Sequence, residues 1–168
     1  SRNMRQQYML LAKSLTQVGQ RDKAIKALDK GLVEFPESKI PFDKYDIGYA
    51  AQYCESGNMK KGEEMFNKIT DLYINQIKYF NRFKGKKAIS IASTRNEALQ
   101  FLAMVYSNAI DHKLTALQAK IKAIPEVAPV LGAQEMQKGY NDLVQKVNTA
   151  IDLAQKGNKA DAETLLGD

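Results

Sequence analysis

The chain has 168 residues, 44% of them hydrophobic and 26% charged, which suits one domain with a single core and leaves little room for a second. No run approaches the about 18 consecutive apolar residues of a membrane-spanning helix, and the first residues lack the basic, apolar, small-residue order of a signal peptide. The net charge of +6 invites a nucleic-acid reading, but its distribution argues against sequence-specific recognition. Residues 72–96 contain no acid and hold Lys78, Arg82, Lys84, Lys86, Lys87 and Arg95, so the whole excess sits in one window. Of the 25 basic residues only 5 are Arg, the side chain whose planar fork reads base edges. A single cysteine, Cys54, excludes an internal disulfide framework and any multi-cysteine zinc site, and His112 is the one histidine. Opening on Ser1-Arg2-Asn3, the chain reads as a piece of a longer protein.

In chain order, apolar residues recur at three- and four-residue spacing in Met9, Leu10, Leu15 and Val18, then in Ile25, Leu28, Leu32 and Phe35, which predicts two helices interrupted at Gly19-Gln20. Pro36 and Pro41 end the second helix. The next helix is expected to begin near Asp43 and stop at Glu55-Ser56-Gly57. Asn58 is then placed to cap a long helix running toward Phe83. Lys84-Gly85-Lys86-Lys87 reads as a loop, and Thr94-Arg95-Asn96-Glu97 as a capping box starting another helix. Its apolar face, carrying Leu99, Leu102, Tyr106 and Ile110, extends through Leu114, Leu117, Ile121 and Ile124 until Pro125 and Pro129, after which a helix begins at Ala133.

Three segments share one spacing. Ala12, Gly19, Ala24 and Leu28 stand at the intervals of Ala50, Gly57, Gly62 and Phe66, and again of Ala150, Gly157, Ala162 and Leu166. Small residues let two antiparallel helices approach, the glycine permits a positive backbone angle, and the large residue fills the seam. The pattern resembles the tetratricopeptide repeat, a helix-turn-helix unit of about 34 residues. The repeat-like segments are 5–38, 43–76 and 143–168, with a divergent helical pair at 84–142. The first copy departs from the family at Gly31, the second at Gly62 and Ile74. The resemblance implies an all-α domain over 1–168, its antiparallel helix pairs stacked as a right-handed superhelix of about seven helices.

A narrower resemblance rests on Leu-Asp-Lys at 28–30, Ser-Lys-Ile-Pro-Phe-Asp-Lys-Tyr at 38–45 and Leu-Tyr-Ile-Asn-Gln-Ile-Lys-Tyr-Phe at 72–80. The stretch from Leu10 to Phe83 is similar to the soluble C-terminal region of large bacterial integral membrane proteins related to protein O-mannosyltransferases. This implies a parent with membrane spans and a glycosyltransferase part upstream and membrane association through those segments; of the two sides of the membrane the resemblance favours the extracytoplasmic one for the domain. The resemblance carries over no catalytic residue.

Nothing in the residues points to catalysis, a cofactor or a metal. Ser107, Asp111 and His112 share one helix without a shared face, and no Gly-x-Ser-x-Gly elbow supports a triad. Cys54 reads as a small buried residue. In the tetratricopeptide family, peptides lie in a groove lined by the first helix of each pair, which implies Gln6, Met9, Lys13, Gln17, Lys44, Ile47, Ala51 and Cys54 as the groove. Met9 and Lys13 stand where chaperone-binding members carry their carboxylate clamp, so chaperone tails are not expected as ligands. The basic patch Lys78, Arg82, Lys84, Lys86 and Lys87, interleaved with Tyr73, Tyr79, Phe80 and Phe83, is either solvated surface or a contact to anionic lipid or an acidic partner. The expected function is non-catalytic protein interaction or positioning; the alternatives are a free-standing peptide-binding adaptor and an enzyme in its own right.

Overall fold

The structure, a computed structural model, describes residues 2–167. Ser1 and Asp168, the ends of the expected domain and of its third repeat, lie outside the described residues. Every regular element among them is a helix: α1 (Arg2–Gln17), α2 (Arg21–Glu34), α3 (Asp46–Glu55), α4 (Met59–Phe80), α5 (Gly85–Ser90), α6 (Ala92–Asp111), α7 (Thr115–Lys122), α8 (Ala128–Gln155) and α9 (Lys159–Leu166). None is long and apolar enough to cross a membrane. They form two compact units, Ser1–Val127 with α1 to α7 and Ala128–Asp168 with α8 and α9.

The helix pairs are closed by one turn used repeatedly. Gly19, Gly57 and Gly157 have φ of 78°, 100° and 85°, the left-handed region open to glycine without a Cβ penalty. In each turn the glycine N–H reaches back three residues and the next N–H five: Gly19 to Thr16 and Gln20 to Leu15, Gly57 to Cys54 and Asn58 to Tyr53, Gly157 to Ala154 and Asn158 to Leu153, all at 2.8–3.1 Å. This is the Schellman arrangement, which satisfies carbonyls the helix end would otherwise orphan. The following helix is then started by Ala24, Gly62 and Ala162 donating to Gln20, Asn58 and Asn158. Asn58 also accepts from the Lys61 amide at 3.1 Å, capping α4 as expected.

A fourth turn of the same kind joins α6 to α7, with no glycine. Lys113 adopts φ 58°, its N–H donates to Ile110, and Leu114 N–H donates to Ala109 at 2.8 Å. Here the single helix expected from Thr94 to Ile124 is two, and the expected loop at Lys84–Lys87 belongs in part to α5, so nine helices are described where about seven were expected. Three boundaries shift as well. The helix begins at Ala92 with Ile91 as its uncapped start, so the Thr94–Glu97 box falls inside the first turns and caps nothing. α3 begins at Asp46, because Asp43 spends its carboxylate on the Tyr45 amide and its carbonyl on the Asp46 amide. α8 begins at Ala128, with Pro129 in its first turn, where a missing N–H costs no bond.

The small residues of the repeat spacing sit at closed contacts. Ala12, Ala24 and Ala50 are fully buried, and Ala150 and Ala162 pair α8 with α9. A Cβ on Gly62 would strike Cys54 Sγ and come within 2.9 Å of the Ala50 carbonyl. Gly31 is equally constrained: a Cβ there would meet Tyr49 Oη and lie 2.9 Å from Tyr8 Cβ. That space is used by the Tyr49 hydroxyl, which crosses Gly31 to donate to the Leu28 carbonyl at 2.7 Å. The neighbouring Tyr53 donates to Asp29 at 2.8 Å, tying α3 to α2.

The junction between the first two pairs is polar. Arg5 is 2% exposed, yet its guanidinium donates to Asp46 Oδ1 at 2.9 Å and to the carbonyls of Phe35 and Ile40 at 2.6 and 2.7 Å. It also lies over the Phe42 ring. Nearer the turns, Thr16 Oγ1, Gln52 Nε2 and Ser56 Oγ form a hydrogen-bonded cluster between α1 and α3.

Ala24→Leu is expected to overpack α1 against α2 and to lower stability by about 1–3 kcal/mol; an unchanged urea midpoint would separate the spacing from the packing. Lys113→Gly should act in the opposite sense. It relieves about 1–2 kcal/mol of left-handed strain against about 0.5–1 kcal/mol of added freedom in the unfolded chain. A small rise in melting temperature is the expected result.

Candidate functional site

α3 packs mainly on α4 and also contacts α1 and α6. On α1, Gln6, Met9, Lys13 and Gln17 follow one another at three- and four-residue spacing and share a face. Gln6 Nε2 donates to the Tyr45 carbonyl at 3.0 Å, Met9 Sδ approaches Gly48, and Lys13 and Gln17 are exposed. Lys44 is exposed with its Nζ 5.4 Å from the rings of both Tyr45 and Phe101, reaching from the start of α3 to α6. Ala51 is half-buried. All six keep exposed or half-buried side chains.

Ile47 and Cys54 do not join them. Ile47 is 2% exposed and Cys54 6%. The first sits in a helix covered on two sides by α1 and α6. The second turns its sulfur toward Gly62 of α4, closing its own pair. Neither offers surface to a ligand, so both drop out of the expected groove. Burial pushes the Cys54 thiol up to about 11, with Glu63 adding to it.

The five patch cations, Lys78, Arg82, Lys84, Lys86 and Lys87, are all exposed, and among the described residues no carboxylate pairs with any of them. Their aromatic neighbours divide. Tyr73 is buried against Phe101 at 5.2 Å between centroids, and Phe80 is half-buried. Tyr79 is 53% exposed and packs edge-on against Phe83, over whose ring Lys87 Nζ stands at 4.1 Å. Arg95 is held apart from the patch by Asn81, which accepts its Nε–H at 2.8 Å and donates in turn to Glu126.

The second helices carry a feature that the sequence reading passed over. A groove of about 460 Å³ opens between α2 and α4, floored by Leu32, Phe42, Tyr53 and Met65. Lys68 lies over Phe42 and pairs with Glu37 at 2.6 Å, and Lys61 pairs with Asp29. The three- and four-residue steps of Asp29 and Leu32 on α2 and of Lys61, Met65 and Lys68 on α4 could have marked this face. Ser107 and Asp111 are exposed, and His112 ends α6 by donating its backbone N–H to Asn108. Among the described residues no three His, Cys, Asp or Glu side chains gather in a way that could hold a metal.

The Cys54 thiol ionises less readily folded than unfolded, so its contribution to stability is present below pH 9, the ordinary value, and is lost as pH rises toward 11. At pH 8 an aromatic disulfide reagent is expected to leave native Cys54 unmodified and to titrate one thiol after denaturation. Rapid native labelling would show the α3–α4 contact to be open.

The chain matches no family model, no curated protein and no solved structure.

Proposed function

We propose that this chain is a tetratricopeptide-like module for protein interaction or positioning, with no catalysis of its own. Its helix pairs stack as a right-handed superhelix, and the side carrying Gln6, Met9, Lys13, Gln17, Lys44 and Ala51 receives a protein or peptide. The observation that carries the reading is the turn used four times, at Gly19, Gly57, Lys113 and Gly157, with the same pair of backward hydrogen bonds. Repetition of one helix-turn-helix unit supports this reading, because stacked units of that kind provide an extended surface in repeat architectures. The resemblance of Leu10 to Phe83 adds the context: the module is the part outside the membrane of a membrane-embedded, glycosyltransferase-like protein, where it positions a partner or substrate chain.

The test is photo-cross-linking in cells from the full-length protein. A benzophenone side chain at Lys13 or Gln17 is expected to give a discrete adduct that the same group at Lys26, on α2, does not. No adduct from the α1 positions, or the same adducts from both helices, would remove the groove reading.

A further inference from the structure

The last turn of α4 and the whole of α5 combine three features that the groove on α1 and α3 does not use. The first is uncompensated charge: Lys78, Arg82, Lys84, Lys86 and Lys87 are exposed without a carboxylate partner among the described residues, within a window that carries the net charge of the chain. The second is apolar surface among those cations. Ile89 is 77% exposed and Tyr79 53%, although Ile89 sits in a helix of only six residues with no buried side chain. Lys86 and Ile89, three residues apart, share one face of it. The third is an aromatic support, in which the Phe83 ring stands nearly perpendicular to Tyr79 and carries Lys87 over it, which holds that lysine near the tyrosine.

We infer that this segment is a docking surface for an anionic phospholipid bilayer. Cations alone would suit any polyanion in water. An exposed aliphatic side chain and a tyrosine standing among them suit an interface in which the charged heads lie beside hydrocarbon, where tyrosine is favoured and a basic, amphipathic short segment lies flat. Four of the five cations are lysines, which act as point charges without the bidentate geometry used for bases or phosphopeptides. The bilayer contact therefore rests on long-range attraction, falling off within a Debye length, followed by shallow insertion of Ile89 and Tyr79.

The experiment is co-sedimentation of the chain with vesicles of phosphatidylcholine containing about a third phosphatidylserine, with pure phosphatidylcholine vesicles and heparin alongside. Binding to the anionic vesicles is expected at low salt and should fall steeply toward physiological salt, with little on neutral vesicles. Each lysine near the surface is worth about fivefold in affinity, so K84Q/K86Q/K87Q should lose about a hundredfold. I89S should weaken vesicle binding severalfold and leave heparin binding unchanged; both variants expose no new core and should keep the parent melting temperature. Absence of binding to anionic vesicles at low salt overturns the inference. Binding to vesicles and heparin alike, insensitive to I89S, also overturns it and assigns the patch to a soluble polyanion.

Discussion

A buried guanidinium sets how the second helix pair meets the first. Arg5 leaves water to serve three oxygens that arrive from far along the chain: the Phe35 carbonyl at the end of α2, the Ile40 carbonyl in the connection, and the Asp46 carboxylate in the first turn of α3. A charge out of water is tolerated only when most of its donors are matched; here both terminal nitrogens are bonded, Nε alone is buried without a partner, and Phe42 closes over the group. Removing the arginine would strand a carboxylate and two carbonyls together. The connection between α2 and α3 forms only short turns at Pro36–Ile40 and Asp43–Asp46, and these contacts tie it down. Burial raises the Asp46 carboxyl above its ordinary range, while Arg5 and the Asp43 amide pull it down, so the two charges define one another's state.

Packing supplies the rest. Where α2 passes α1 and α3, side-chain volume has been removed at Ala12, Ala24 and Gly31 and returned from the neighbouring helix as the Tyr49 ring. Tyr49 and Tyr53 then use their hydroxyls on α2, at Leu28 and Asp29, so that large buried rings leave no orphaned polar atom. Gly62 does for α4 what Ala24 does for α2, with Cys54 filling the space. The face left outside this packing, along α1 and the start of α3, is polar and mixed. The surface at the end of α4 is cationic and aromatic. The two surfaces therefore differ in chemistry.

The helical class, the three glycine turns, the Asn58 cap and the tight contacts at Ala12, Ala24, Ala50 and Gly62 were legible because each depends on a residue type that few alternatives can replace. The fourth turn was not. Lys113 adopts a backbone angle that its side chain does not advertise, and the flanking small positions have become Tyr106 and Gln118. These compensate locally: Lys122 lies over the Tyr106 ring, and Gln118 Nε2 donates to the Ala109 carbonyl. Arg5 escaped for another reason. A basic residue in an opening helix reads as surface, and the oxygens that bury it stand 30 to 41 residues away. At the candidate site, helical spacing placed Gln6, Met9, Lys13 and Gln17 on one face but could not foresee that Ile47 and Cys54 would be covered by neighbouring helices.

The repeated glycine turn also bears on how the chain reaches this state. Because only three residues separate α1 from α2 and α3 from α4, each pair can close through contacts local in sequence, with little loop-closure entropy lost before the buried seam forms. The Arg5 network spans a much longer separation and can assemble only after both helices of the first pair and the start of α3 are in place. Pair closure is thereby a fast, local event and pair-to-pair registration a later, cooperative one. Amides in the seam of a single pair and amides at the Arg5 junction would then open in separate sub-global steps.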